Sequence, residues 1–153
     1  MLDRACHASR LVIDRLDRIP HDAIALVARL GVAGVFWQSA RTKVEGLTIT
    51  DTTYLLFREE YRLPVIPPDI AAVAATISEH LFAVLLAIGL ATRLSAAALL
   101  GMTLVIQLFV YPLAWPTHLT WAASFIYLMA RGGGALSLDG LIGRRSASPR
   151  LAA

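Results

Sequence analysis

TISEHLFAVLLAIGL, residues 76–90, places Glu79 and His80 inside a run that is otherwise almost entirely aliphatic. An alanine-rich stretch precedes it and extends the apolar segment to roughly residues 69–91. That is long enough to cross a bilayer, which takes about 20 mostly apolar residues as a helix. Three further segments qualify: roughly 22–41, 94–112 and 115–131. Backbone groups in lipid must pair within their own segment, so each is expected to be a helix. The sequence therefore predicts an all-α integral membrane protein, a four-helix bundle of antiparallel up-down topology. The first span is interrupted by Arg29 and the fourth is short.

Composition agrees. Of 153 residues, 57% are hydrophobic and 16% charged, and the mean hydropathy is +0.63. Soluble domains run at about 45–50% apolar and about 25% charged. The net charge of +3 forms no basic stripe interleaved with aromatics, so no nucleic-acid partner is expected. The lone Cys6 excludes an internal disulfide and reads as an inert thiol. No HxxxH, ExxH or CxxC spacing points to a metal.

Residues 1–21 mix Arg and Asp and lack the continuous apolar core of a signal peptide. Leu11, Val12, Leu16 and Ile19 suit one face of an interfacial helix. This segment, the span domain 22–143 and a basic tail 144–153 are the expected divisions of the chain. With four spans, both termini and the 89–95 turn share one side. That side carries Arg4, Arg10, Arg15, Arg18, Arg93, Arg131, Arg144, Arg145 and Arg150, nine basic residues. The other carries Arg41, Lys43, Arg58 and Arg62, four. The excess places both termini in the cytoplasm. Trp37, Tyr111 and Trp115 fall near the outer boundary, as an aromatic belt does.

Polar groups inside spans face the bundle interior and a partner. Small neighbours of Glu79, namely Ala72, Ala75 and Ala83, let another helix approach. Thr103, Gln107 and Tyr111 form a stripe on the third span; Thr120, Ser124, Tyr127 and Arg131 form one on the fourth. The candidate buried polar or proton-relay residues are Arg29, Glu79, His80 and Gln107. Arg29 is the obvious partner for Glu79, with one geometric objection: on antiparallel helices the two side chains lean apart. The outer loop, 42–68, holds an expected helix start at Thr50 or Asp51, followed by Tyr54, Phe57 and Tyr61 on one face. It reads as an amphipathic interfacial segment, a lid or a plain cap. Tyr54, Phe57, Tyr61, Tyr111 and Trp121 are the candidate slot or lid aromatics.

Taken in order, ARLGVAGVFWQSARTKVEG (28–46), ISEHLF around Glu79, IGLATRLSA (88–96) and RGGGALSLDGLIG (131–143) resemble the DoxX family of small membrane proteins. The resemblance covers roughly residues 22–143, and LFREEYRLPVIPP and FVYPLAWPTHLTW look like a proteobacterial-type branch. A departure is RGGGALSLD, where the family often has Gly-Pro-Gly before Ser-Leu-Asp. The resemblance implies a bacterial inner-membrane location and makes Lys43 and Arg93, with Arg29 and Glu79, family-matching polar positions. The family takes its name from a subunit of a thiosulfate:quinone oxidoreductase. It thus implies a membrane subunit of a redox complex that binds a quinone and takes electrons from a partner protein, since no flavin, haem or iron–sulfur signature is visible. The alternative is a non-catalytic anchor or scaffold whose buried polar residues only lock the helices. A proton or solute pathway is a third reading and would need a homo-oligomer. Fold likeness does not carry chemistry, and no catalytic residue is assigned.

Overall fold

The computed structural model describes Arg10 and residues 13–147. Cys6, Leu11, Val12 and the end of the tail lie outside the described residues, as does about half of the expected N-terminal interfacial segment.

The described chain is mostly helical. Helix α1 spans His21–Thr42. Pro20 precedes it, and Asp22 sits in its first turn, where the partial positive charge of a helix start favours an acid. A two-stranded hairpin follows, β1 (Val44–Glu45) paired with β2 (Thr48–Ile49). This small piece of sheet was not expected in an all-α chain. Its two-residue connection starts at Gly46, whose φ of 61° is the left-handed geometry such turns favour.

Helix α2 (Asp51–Leu56) starts at Thr50, whose hydroxyl accepts a hydrogen bond from the Thr53 amide. It runs on into a π-helical turn, Phe57–Tyr61. Helix α3 covers Pro68–Ile88, with proline in its first turn where no donor is lost. It stops where Gly89 turns left-handed at φ 72°. Helix α4 (Thr92–Val105) also ends in a π-helical turn, Ile106–Val110, before Pro112. Helix α5 is Trp115–Arg131 and α6 is Leu138–Ala147.

Three helical segments are long and apolar enough to cross a membrane: His21–Thr42, Pro68–Ile88 and Thr92–Val110. Helix α5, at 17 residues, is about 25 Å long, short of a hydrocarbon core of about 30 Å. Large apolar side chains lie exposed along the helices, including Val27, Leu30, Ile77, Leu81, Leu104, Leu108 and Ile126. An exposed apolar surface this extensive suits contact with lipid.

The core draws on four helices. Phe36 and Val32 of α1, Leu86 and Ala83 of α3, Leu99 and Ala96 of α4, and Phe125 and Leu128 of α5 form one buried cluster. A second cluster, Phe57 with Ala71 and Ala72, seats the π-helical turn of the outer loop on the start of α3. Both π-helical turns border the same space, and such turns recur at functional sites.

Candidate functional site

A pocket of about 450 Å³ lies between these two clusters. Its walls are Val35 and Phe36 from α1, Ala75, Ser78 and Phe82 from α3, Met102, Val105 and Ile106 from α4, and His118 and Trp121 from α5. Phe57, Tyr61 and Leu63 of the outer loop close one end, with Tyr111 beside them. Ala74 on α3 and Val105 on α4 line the pocket and are exposed as well. Ile66 and Tyr111, at the outer-loop end, line it and are exposed too, so the exposed lining runs along the α3–α4 side and on to that end.

The only ion pair among the described residues that is withdrawn from solvent sits on this wall. Lys43 Nζ donates to both Glu79 carboxylate oxygens, at 2.8 and 3.0 Å. It donates also to Ser39, at 2.9 Å to Oγ and 3.3 Å to the carbonyl oxygen. Glu79 is 3% exposed and Lys43 6%. Small residues on the interior face of α3 (Ala72, Thr76 and Ala83, all buried) admit α1 close enough for the contact. Lys43 is held from above too, because the Thr53 hydroxyl donates to its carbonyl oxygen at 3.0 Å.

The expected Arg29–Glu79 pair is corrected. Arg29 is 1% exposed, and its guanidinium donates to three carbonyl oxygens: Leu86 at 3.3 Å, Ala87 at 3.0 Å and Leu136 at 2.7 Å. The reason is the lean of helical side chains toward their own N-terminus. Arg29 leans away from Glu79 and reaches the carbonyls at the end of α3, which lack helical partners. It therefore fastens α1 to the end of α3 and to the 132–137 turn, and does not reach the pocket.

His80 also stands apart. Its Nδ1–H donates to the Thr76 carbonyl oxygen at 2.8 Å, and its ring meets Trp37 edge-on with centroids 5.4 Å apart. Arg93 is exposed at the start of α4. Gln107 does not line the pocket but supports His118, which does. Tyr54 packs behind Phe57 without reaching the cavity. The fourth polar stripe is corrected as well, since Thr120 and Arg131 are exposed. The inward face of α5 is instead His118, Trp121, Phe125 and Leu128. Of the sequence candidates, Lys43, Glu79, Phe57, Tyr61, Tyr111 and Trp121 converge on the pocket. Ser39 and His118 were missed. The spacing of His118 with Trp121 and Phe125 was the available signal, one helix face of three- and four-residue steps.

The outer segment over the pocket is aromatic and tied by hydrogen bonds. Tyr61 meets Phe57 and Tyr111 edge-on, at centroid distances of 4.8 and 5.8 Å. The Tyr111 hydroxyl donates to Glu60 at 2.6 Å. That bond pushes the Tyr111 phenol well above its usual range, and burial raises Tyr61. Both phenols stay protonated and able to donate at neutral pH. An exposed two-pronged pair, Arg58 with Asp69 at 2.8 and 2.9 Å, ties the outer segment to α3. Exposure of both partners keeps its contribution small.

At the far end, the SLD stretch staples the helix ends. Asp139 accepts from the Ala91 and Thr92 amides, both at 2.8 Å, and so caps the start of α4 from a distance. Ser137 Oγ accepts from the Gly140 amide at 3.0 Å, capping α6. Asp22 accepts from the Ala135 amide at 2.6 Å. Burial raises the Asp139 carboxyl, but those two amide bonds, with Arg29 nearby, outweigh it and hold the group below the usual range. A lowered folded value means the contribution is present above about pH 4, the unfolded value, and fades as pH falls through the folded one. Asp139→Leu is expected to cost about 1–2 kcal/mol, as loss of a helix cap does. In detergent unfolding curves its difference from the native chain should shrink below about pH 4. A difference that is flat with pH would contradict the capping role.

The family model described as DoxX matches residues 24–112, more than half of the chain. The match takes in α1 through α4, with the Lys43–Glu79 pair. No curated protein and no solved structure matches the chain.

Proposed function

The chain belongs to the DoxX family of membrane proteins, and from that premise we propose that it is the membrane subunit of a redox complex that holds a quinone in this pocket. The observation that carries the reading is an apolar pocket of about 450 Å³ with a buried Lys43–Glu79 pair on its wall. Small-molecule sites have this form: about 300–1,000 Å³, mostly apolar, with a few fixed polar groups. Phe36, Phe82, Met102 and Trp121 suit a flat ring. Ser78, whose hydroxyl makes no hydrogen bond among the described residues, and Tyr61 supply donors for a carbonyl oxygen. A bound quinone supplies two-electron chemistry; Glu79 and Lys43 offer a place to hold a proton. The exposed lining along the α3–α4 side suits a ligand that arrives through lipid.

In this reading α5 is the fourth span, and α1, α3, α4 and α5 make an antiparallel four-helix bundle. Residues 22–143 are its domain, both termini are cytoplasmic, and the membrane is the bacterial inner one. The electrons come from a partner protein.

One observation favours the alternative, an anchor or scaffold. Lys43 spends its donors on Glu79 and Ser39, so the pair satisfies itself. Mass spectrometry of the lipids and quinones retained after mild purification separates the two. The native protein is expected to retain a stoichiometric quinone, in its oxidised or reduced form. Met102→Trp, which fills the pocket and leaves the ion pair alone, should retain at least tenfold less with its unfolding midpoint little changed. Absence of quinone from both proteins favours the scaffold.

A further inference from the structure

Gln107 and His118 together fix a hydrogen-bond direction that the ion pair does not supply. The Gln107 side-chain N–H donates to the Pro112 carbonyl oxygen at 2.8 Å. This turns its Oε1 toward His118 Nδ1, 2.6 Å away. A carbonyl oxygen only accepts, so Nδ1 carries the ring proton and Nε2 of the neutral imidazole is an acceptor. The ring is held on its other side by Trp121, with centroids 5.2 Å apart. His118 is 5% exposed and lines the pocket. Its Nε2 makes no hydrogen bond among the described residues.

We infer that His118 Nε2 accepts a hydrogen bond from a ring hydroxyl of the ligand, which makes His118 a specificity-determining residue for a hydroquinone or phenol over the corresponding quinone or ether. The inference rests on the pocket being a site for an aromatic ring ligand. The warrant is polarity matching. A quinone oxygen and an ether oxygen both accept, and facing Nε2 they leave two buried acceptors unpaired. A hydroxyl satisfies both. A site built around one hydrogen-bonding group rejects the analogue lacking it far more strongly than it discriminates size. Gln107 acts one step back, as the group that holds the imidazole in the accepting tautomer.

The test compares three probes on the detergent-purified full chain: a short-chain alkyl benzohydroquinone, its dimethyl ether and the matching quinone, each titrated by tryptophan quenching. The native protein is expected to bind the hydroquinone about tenfold or more tighter than the other two, the size of one buried hydrogen bond. His118→Phe should bring the three affinities together without abolishing binding. Gln107→Leu, which frees the ring to flip tautomer, should narrow the preference and serves if His118→Phe does not fold. Equal affinities in the native protein overturn the inference and leave the pocket reading standing. A preference that survives in His118→Phe overturns it as well. Binding of none of the three probes removes the pocket reading, and this inference with it.

Discussion

Lys43→Met is expected to destabilise the folded protein by about 3–5 kcal/mol, the usual cost of removing one partner of a buried ion pair. The substitution keeps the length of the side chain, so packing is nearly preserved and the loss is electrostatic. Glu79, at 3% exposure, is left with no cation within reach. It must then protonate, or stay charged in a poorly solvating environment. Replacing both partners, as in Lys43→Met with Glu79→Met, should recover most of the loss, because an apolar pair of similar volume is often neutral or better. Exposed Arg41, two residues away, gives the control: Arg41→Met should change stability by less than about 0.5 kcal/mol. Denaturant titration in mixed micelles, followed by helical circular dichroism, measures all three. A Lys43→Met protein as stable as Arg41→Met would show that the pair is solvated. A double variant that is stable but retains no quinone would assign the pair to binding.

The same residues show where a linear reading reaches its limit. Glu79 was legible as an inward group because alanine and threonine occupy its three- and four-residue neighbours, and a carboxylate in lipid has no other tolerable direction. Thr50 was legible as a helix start because its hydroxyl has a local task. Lys43 was not legible as the partner of Glu79. It follows α1, in what reads as an outer loop, and only its backward lean brings Nζ down to Ser39 and Glu79. Arg29 leans the same way, toward the start of α1, but it sits on the other side of Glu79 along the helix, so the same lean carries it away. Contacts run in opposite senses along α1 and α3, Arg29 with Leu86 and Lys43 with Glu79, so the two cations on α1 lean to different parts of α3. The pocket was illegible for a related reason. It is a space left among α1, α3, α4 and α5 and bordered by two π-helical turns, and no residue pattern announces a wall that is missing. His118 stands in the first turn of the fourth span, just after Pro116, while Thr120 and Ser124 on another face read as the polar stripe.

Gly89→Ala is expected to cost about 2–5 kcal/mol. Two independent effects combine. The residue sits at φ 72°, where an L side chain loses about 1–2 kcal/mol against glycine. The new Cβ would also clash with Arg29 Nη1 and Ser137 Cβ and lie 2.9 Å from the Ser137 backbone. Arg29 cannot simply swing aside, because its guanidinium is engaged by the Leu86, Ala87 and Leu136 carbonyls. Nor can Ser137, which caps α6. Overpacking against groups that cannot yield typically costs about 1–3 kcal/mol. Gly31→Ala supplies the contrast, since a Cβ there meets nothing within 4 Å; it should be neutral or slightly stabilising, as alanine is in a helix. Unfolding midpoints of the two variants in one detergent decide the matter. If Gly89→Ala unfolds with the native chain, the close approach of α1, the 89–91 turn and the SLD stretch is wrong. The Arg29 anchor must then be abandoned with it. If it unfolds early yet still retains quinone below its midpoint, the staple at this end is structural and separable from the pocket at the other.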